Sequence, residues 1–304
     1  VAYILADSGA QALVCHADLL PQIKDGLPKR LPLLVVTTPP EIADAFSVSP
    51  ELARVPDGFV DWDTWRDSHA PSRDAPGRAS PMFYTSGTTG RPKGVRRLPM
   101  QPEQMVAVER VSAITYGVKP NEDQVILMNG PMYHSAPNSY GMLAFRHDCT
   151  IVLEPRFDPE DLLQLIERHK VTHMHMVPTM FVRVLRLPDE VKSRYDLSSL
   201  NFVVHGAASC PIAVKQAMIA WWGPVVHEYF GSTETGIPIW HSAQEALAKP
   251  GTGGRAIEGG IVKIFGPNGE PCGANEIGEI FMRQTAIPDL DYHRKAGARE
   301  EAGR

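Results

Sequence analysis

The chain has 304 residues, 43% of them hydrophobic and 21% charged, with a formal net charge of −5. That composition is ordinary for a soluble globular protein with a large core, and the mild acidity gives no reason to expect nucleic acid or an anionic membrane as partner. The four cysteines, Cys15, Cys149, Cys210 and Cys272, are scattered without C-x-x-C spacing, which argues against a zinc site or disulfide framework and for a reducing, cytoplasmic setting.

No apolar run approaches the length of a membrane span. The N-terminus lacks both a starting methionine and the basic-then-apolar order of a signal peptide, and residues 1–10 read as the tail of a helix and a turn. The chain is therefore expected to begin inside a domain. Ala12-Leu13-Val14-Cys15 and Leu33-Leu34-Val35-Val36 are buried-strand candidates, separated by a polar helical stretch. Residues 39–80, rich in Pro, Asp, Arg and Ser, are expected to form an irregular surface excursion. Residues 101–116 are predicted helical, with Met105, Val108, Val111 and Ser112 on one side, and 124–128 form a strand.

The middle of the chain alternates between strands and helices. Asp158 suits an N-cap, Pro159 the first helical position, and Glu160 and Asp161 the positive helix end. Leu162, Leu163, Leu165 and Ile166 supply that helix with an apolar stripe. A strand over 171–177 follows, Pro178 opens another helix, 200–205 form a strand, and Pro211 starts a helix running to Trp222. The next strand covers 225–230. This order predicts an α/β fold with right-handed crossovers and a largely parallel sheet. After Gly260 the pattern becomes a β-hairpin, with strands over 261–265 and 277–283 and a Gly266-Pro267-Asn268-Gly269 turn.

The densest chemical signal is Tyr84-Thr85-Ser86-Gly87-Thr88-Thr89-Gly90-Arg91-Pro92-Lys93-Gly94. Glycines let backbone N–H groups turn toward a ligand, hydroxyls add donors without bulk, and a lysine adds a mobile positive charge. Such a loop suits a polyphosphate. Its order, Gly-x-x-Gly-x-x-Lys-Gly, is not that of a Walker A loop. Arg96 and Arg97 beyond it read as a solvated edge. A flexible surface loop is the bland alternative, disfavoured by this density and order.

The loop resembles the phosphate loop of the adenylate-forming enzymes: acyl-CoA synthetases, peptide-synthetase adenylation domains and beetle luciferases. A second block, residues 226–236 with Phe230-Gly231-Ser232-Thr233-Glu234 at its centre, is similar to that family's aromatic-Gly-x-Thr-Glu motif. The resemblance implies the family's large N-terminal domain: an α/β AMP-binding region over 1–259, incomplete at its start, and the beginning of a small β subdomain over 260–304. It also implies that the mobile C-terminal lid domain, with its catalytic lysine and a preceding ribose-binding aspartate, is absent. Pro250-Gly251-Thr252-Gly253-Gly254-Arg255 resembles a further block, with Gly253 where valine is common.

Roles follow from the resemblance. Thr85, Ser86, Gly87, Thr88, Thr89, Gly90 and Lys93 would hold the outer phosphates of ATP. Thr233 would contact phosphate and Glu234 would hold Mg²⁺. Tyr229, Phe230 and Gly231, with Gly206, Ala207 and Ala208, would form the adenine site. Tyr133 and His134, in Pro131-Met132-Tyr133-His134-Ser135, would line the acyl pocket together with Gly206 and Ala207. Lys93, Thr233, Glu234 and His134 are the candidate catalytic residues. Taken alone, a lone Glu is usually a surface carboxylate, a Phe a core residue and a His structural; it is their motif context that favours function.

His173 and His175 alternate with Met174 and Met176 and so share one strand face, but no third ligand suggests itself and packing is the preferred account. No Gly-x-Ser-x-Gly elbow supports a serine hydrolase. The resemblance thus implies a carboxylate–CoA ligase acting on a fatty or other bulky apolar acid, with ATP, Mg²⁺ and coenzyme A. The rivals are a non-catalytic ATP/AMP-binding remnant and an adenylation domain for another acid. A homodimer is left open as the assembly.

Overall fold

The computed structural model describes residues 1–71, 80–85 and 91–294. In chain order it begins with α1 (Ala2–Ser8), β1 (Leu13–His16), α2 (Leu20–Ile23), β2 (Leu33–Val36), α3 (Pro40–Phe46) and α4 (Pro50–Ala53). Next come β3 (Val60–Asp61), α5 (Trp62–Asp67), β4 (Phe83–Thr85), β5 (Lys93–Arg97) and α6 (Pro102–Tyr116). The alternating section holds β6 (Val125–Met128), α7 (Ser135–Arg146), β7 (Thr150–Leu153), α8 (Pro159–His169), β8 (His173–Met176) and α9 (Pro178–Leu185). It continues through α10 (Asp189–Lys192), β9 (Phe202–His205), α11 (Ile212–Trp222), β10 (Val226–Ser232), β11 (Gly236–His241) and α12 (Ala243–Ala248). Four short strands close the chain: β12 (Arg255–Ala256), β13 (Gly260–Phe265), β14 (Glu279–Gln284) and β15 (Leu290–Tyr292).

The chain divides into two compact units, Val1–Arg97 with Leu290–Arg304, and Leu98–Asp289. This boundary lies elsewhere than the residue-260 division read from the sequence. The reason is β15, which returns to pair antiparallel with β5, from Leu290 opposite Arg97 to Tyr292 opposite Val95. No local pattern announces that pairing. The change of pattern at Gly260 is nonetheless real, since β13 and β14 pair antiparallel from Gly260–Gln284 to Phe265–Glu279.

In the first unit, β1, β2 and β3 form a parallel sheet, and β4, β5 and β15 an antiparallel one. Two expectations need correction here. Residues 39–71 are not irregular: they carry α3, α4, β3 and α5, while 72–79 lie outside the described residues. The prolines that read as breakers are helix starters, since Pro40 and Pro50 occupy first helical positions where no N–H is needed. Asp61 adds an N-cap, its carboxylate accepting from Thr64 N at 2.8 Å. The first strand is also only half-buried, with Val14 47% exposed, because β1 lies at a sheet edge.

In the second unit the described residues form a seven-stranded sheet in the order β12-β11-β10-β9-β8-β6-β7. It is parallel from β10 to β7 and antiparallel at β11 and β12. Helices cover both faces, which is why its strands read as nearly continuous apolar runs. On one face Leu162, Leu163 and Ile166 of α8 and Phe181 of α9 pack with Met174, Met176 and Val203. On the other, Tyr116 of α6 and Tyr140 and Leu143 of α7 pack with Ile126, Val204 and Tyr229. Gly117 ends α6 with φ 70°, and a Cβ there would lie 2.5 Å from the Phe202 ring, so glycine answers both conformation and space.

The α8 cap is as expected: Asp158 accepts from the N–H groups of Glu160 at 2.9 Å and Asp161 at 3.2 Å. Replacing it orphans both donors at the start of a helix that buries Leu162, Leu163 and Ile166. Asp158→Ala is expected to lower stability by about 1 kcal/mol. Urea unfolding checks this, and an unchanged midpoint would mean the cap is dispensable.

Candidate functional site

Parallel α/β sheets present ligand sites at the carboxyl ends of their strands. In the second unit a cavity of about 380 Å³ lies at the ends of β9 and β10. Ala207 and Ala208 line it from the turn after β9, Phe230 and Gly231 from β10, and the Gly251–Gly253 turn from beyond α12. Ala207 holds φ 67°, a left-handed conformation that costs a non-glycine residue on the order of 1 kcal/mol. Phe230 is 42% exposed, so its ring is available to a flat ligand. Gly231, which lines the cavity, also answers a steric demand. A Cβ there would run into the Gly236 carbonyl oxygen, because β10 carries a register shift just where β11 turns back on it.

The β10–β11 turn holds the acidic motif. Ser232 N donates to Thr235 Oγ1 at 2.9 Å, Glu234 N donates to Ser232 Oγ at 3.2 Å, and Thr233 Oγ1 lies 2.8 Å from Ser135 Oγ. Glu234 itself is half-buried. This turn offers only oxygen, from one carboxylate and neighbouring hydroxyls. That donor set fits Mg²⁺, which is held through one or two carboxylates and completes its shell with phosphate and water. Among the described residues no group of three or more His, Cys, Asp and Glu could hold a metal alone.

The cavity also has a charged wall that the sequence reading missed. Lys215 of α11 and Glu228 of β10 both line it, and the ammonium donates to Glu228 Oε2. His241 Nε2 lies 2.9 Å from that same oxygen, and His205 Nε2 lies 3.9 Å from it. The cause is register: His205, Glu228 and His241 are direct partners across β9, β10 and β11, so they share one sheet face. Burial alone would raise the Glu228 carboxyl, but the His241 hydrogen bond and the Lys215 ammonium outweigh it and hold it below the usual carboxylate range. Burial pulls the His205 imidazole down to about 3, so that ring is neutral. The available signal was one titratable residue in each of two predicted strands, His205 at the end of 200–205 and Glu228 within 225–230; β11 was not anticipated.

Other candidates are placed less centrally. Tyr229 is buried, its hydroxyl 2.8 Å from His175 Nε2, and its ring covers Gly206. Gly206 itself is absent from the cavity wall, unlike Ala207 and Ala208. Tyr133 and His134 lie exposed at the start of α7, their rings 4.6 Å apart, with Tyr133 77% exposed. The structure does not bring them to this cavity. His173 and His175 are packing residues: His173 meets Gln124 at 3.1 Å and stacks on Phe202, and His175 meets Tyr229.

In the first unit Thr85 and Lys93 face each other across the β4–β5 ladder, and Lys93 Nζ lies 5.2 Å from the centre of the Tyr292 ring. The ladder is anchored to α1 through Tyr84, whose hydroxyl donates to Asp7 at 2.7 Å, and through Tyr3, which donates to the Pro92 carbonyl at 3.0 Å. Ser86, Gly87, Thr88, Thr89 and Gly90 lie outside the described residues. No helix among the described residues is long and apolar enough to cross a membrane.

Comparison with known proteins agrees with this architecture. A family model described as AMP-binding enzyme matches residues 1–287. A 4-coumarate–CoA ligase of Oryza sativa subsp. japonica is 32% identical over 211 residues, covering 67% of this chain and 37% of the relative. A 2-succinylbenzoate–CoA ligase of Bacillus licheniformis is 32% identical, over 69% of this chain and 41% of the relative. Among solved structures, the amide bond synthetase McbA from Marinactinospora thermotolerans superposes with a TM-score of 0.74 at 22% identity, covering 99% of this chain and 56% of that one. The chain thus spans less than half the length of these curated relatives.

The buried imidazoles make stability depend on pH. Burial pulls His173, His175 and His227 to about 4 and His205 to about 3, against 6.5 when unfolded. The unfolded chain therefore binds more protons below 6.5, and stability, full above that value, is lost as pH falls toward the folded values. Each such ring costs about 1.4 kcal/mol per pH unit across the window. Urea unfolding at about pH 7 and about pH 5 is expected to show a loss of several kcal/mol. Equal stabilities at the two would contradict neutral buried rings.

Proposed function

The chain belongs to the AMP-binding enzyme family, matched over residues 1–287, and from that premise we propose that it activates a carboxylic acid with ATP and transfers the acyl group to coenzyme A. The observation that carries this reading is the pairing of two features in one unit: the oxygen-only Thr233–Glu234 turn and the cavity at the ends of β9 and β10. In the first step a carboxylate oxygen bonds to the α-phosphorus of ATP. The bond from that phosphorus to the β-bridging oxygen breaks, and pyrophosphate leaves with the electron pair. In the second, the thiolate of coenzyme A adds to the acyl carbonyl and AMP departs, the thiol proton passing to solvent. The first step requires alignment and charge compensation more than covalent help from side chains.

The residues divide that work. Phe230 offers its ring to adenine, and Ala207 and Ala208 keep the neighbouring wall close to backbone. Thr85 and Lys93, with Ser86, Gly87, Thr88, Thr89 and Gly90, are assigned to the outer phosphates, and Thr233 to phosphate contact. Glu234 would hold Mg²⁺, which when bound neutralises charge on the departing pyrophosphate. Tyr133 and His134 are assigned to the acid. A fatty or otherwise bulky apolar acid suits the carbon-rich cavity wall of Ile212, Ile219 and Leu247. Coenzyme A as acceptor is supported by the two ligases among the relatives, whereas the amide synthetase offers an amine as the competing acceptor. The four free cysteines support a cytoplasmic setting.

Trapping acyl-adenylates with hydroxylamine across a panel of acids tests the reading, and ATP binding without turnover of any acid would replace it with a nucleotide-binding role. Two variants test the assignments in the same titrations. Lys93→Ala is expected to weaken ATP more than AMP, by about tenfold for one charged contact, and Glu234→Gln to abolish the Mg²⁺ dependence of ATP binding. Equal losses for ATP and AMP, or an unchanged Mg²⁺ effect, would remove the respective residue from its role.

A further inference from the structure

A single side-chain hydrogen bond joins two segments that lie 98 residues apart and that the proposed reaction would use together. Ser135 Oγ lies 2.8 Å from Thr233 Oγ1. Ser135 opens α7 directly after Tyr133 and His134, and Thr233 sits in the acidic turn beside Glu234. Each hydroxyl carries one proton, so the direction of this bond decides what Thr233 can do next. Serines inside helices direct that proton to the carbonyl three or four residues back. For Ser135 those carbonyls belong to Met132 and Pro131, and both already have donors. Asn138 Nδ2 donates to the first at 3.1 Å and His134 N to the second at 3.1 Å. In the turn, Ser232 Oγ accepts from the N–H groups of Glu234 at 3.2 Å and Thr235 at 3.1 Å, and Thr235 Oγ1 donates to the Gly236 carbonyl at 3.1 Å. Those two hydroxyls hold the turn's own shape, whereas Thr233 reaches across to α7.

We infer that Ser135 is a positioning residue for adenylation: its hydroxyl donates to Thr233 Oγ1 and thereby presents the Thr233 proton to a phosphate oxygen of ATP. The inference rests on the acyl-adenylating reading and adds a residue to it. Ionised phosphate oxygens only accept, so Thr233 can bond one only as a donor. With Ser135 donating to it, Thr233 holds its rotamer and still keeps its proton for the ligand. The bond it accepts also polarises its O–H and strengthens the bond it donates. That strengthening grows as negative charge gathers on the phosphates in the transition state, so it acts on the rate more than on ground-state binding. No proton is transferred, and Thr233 keeps its own. The same contact carries position. It ties the segment bearing Tyr133 and His134, assigned to the acid, to the turn assigned to phosphate, and both lie in one unit of the fold.

The test measures hydroxamate formation and acid-dependent pyrophosphate–ATP exchange, using the acid that the unaltered chain activates fastest among benzoate and the straight-chain acids from acetate to dodecanoate. Ser135→Ala is expected to lower kcat roughly tenfold, the scale of one weakened hydrogen bond to developing charge, with KM for ATP and for the acid changed by less than about twofold. Ser135→Thr keeps the hydroxyl and should keep kcat. Ser135→Gly also lacks the hydroxyl and takes the place of Ser135→Ala should that variant not fold. Thr233→Val should lower kcat by about a hundredfold. The double variant should be no slower than Thr233→Val, because Ser135 acts through Thr233 alone. Urea midpoints are measured for every variant, since a residue serving only the start of α7 would lower stability and spare the rate. An unchanged kcat in a folded Ser135→Ala, or losses that add in the double variant, overturns the inference and leaves the acyl-adenylating reading intact. A raised KM for the acid at unchanged kcat does the same and makes Ser135 a wall of the acid site. If the unaltered chain folds and binds ATP yet activates no acid, the acyl-adenylating reading fails and this inference falls with it.

Discussion

One largely buried carboxylate organises the working end of the second unit. Glu228 Oε2 accepts from Lys215 of α11 and lies 2.9 Å from His241 Nε2 of β11, while its own backbone belongs to β10. A single oxygen thus ties a helix and two strands together at the point where the sheet opens into a cavity. Such a pair is poor evidence for net stability, because removing two charges from water offsets most of their attraction. Its consequence is positional. Removing one partner would leave the other charge buried and uncompensated, a penalty of about 3–5 kcal/mol, so α11 has little freedom to shift against β10.

That restraint explains how strained backbone persists around the cavity. Ala207 sits at positive φ, and the β10–β11 turn brings Gly231 against the Gly236 carbonyl. Neither arrangement is favourable locally, and each is held by a packed sheet on one side and the fixed helix on the other. The result is a shallow wall of backbone and small side chains beside one exposed aromatic ring, Phe230. A reaction governed by alignment of substrates needs such a fixed surface more than it needs a reactive side chain.

The two faces of the sheet are specialised. Toward α8, α9 and α11 the core is largely aliphatic, from Leu162, Leu163 and Ile166 to Met174 and Met176. Toward α6 and α7 it is aromatic, with Tyr116, Tyr140 and Tyr229 around His175. Alternation along β8 assigns its methionines to the first face and its histidines to the second. Glu154, at the end of β7, has the opposite titration to the buried histidines. Burial raises its carboxyl to about 7, although Oε1 accepts from Asp158 N at 2.7 Å.

The sequence by itself determined the class of fold and the existence of the acidic turn. Asp158-Pro159 marked the start of α8, the apolar runs marked β6, β8, β9 and β10, and Phe230 to Glu234 was legible as a motif before any coordinates. These features are local, written in periodicity, capping and glycine placement. Three others were decided only by tertiary structure. The short helices of residues 40–67 were hidden because proline at a first helical position looks, in one dimension, like proline that breaks a helix. The Lys215–Glu228–His241 row depends on strand register, which brings together residues 13 apart in sequence on either side of Glu228. Gly206 read as a contact for ligand, yet its missing side chain makes room for Tyr229, since only the packed core determines which neighbour fills the space a glycine leaves.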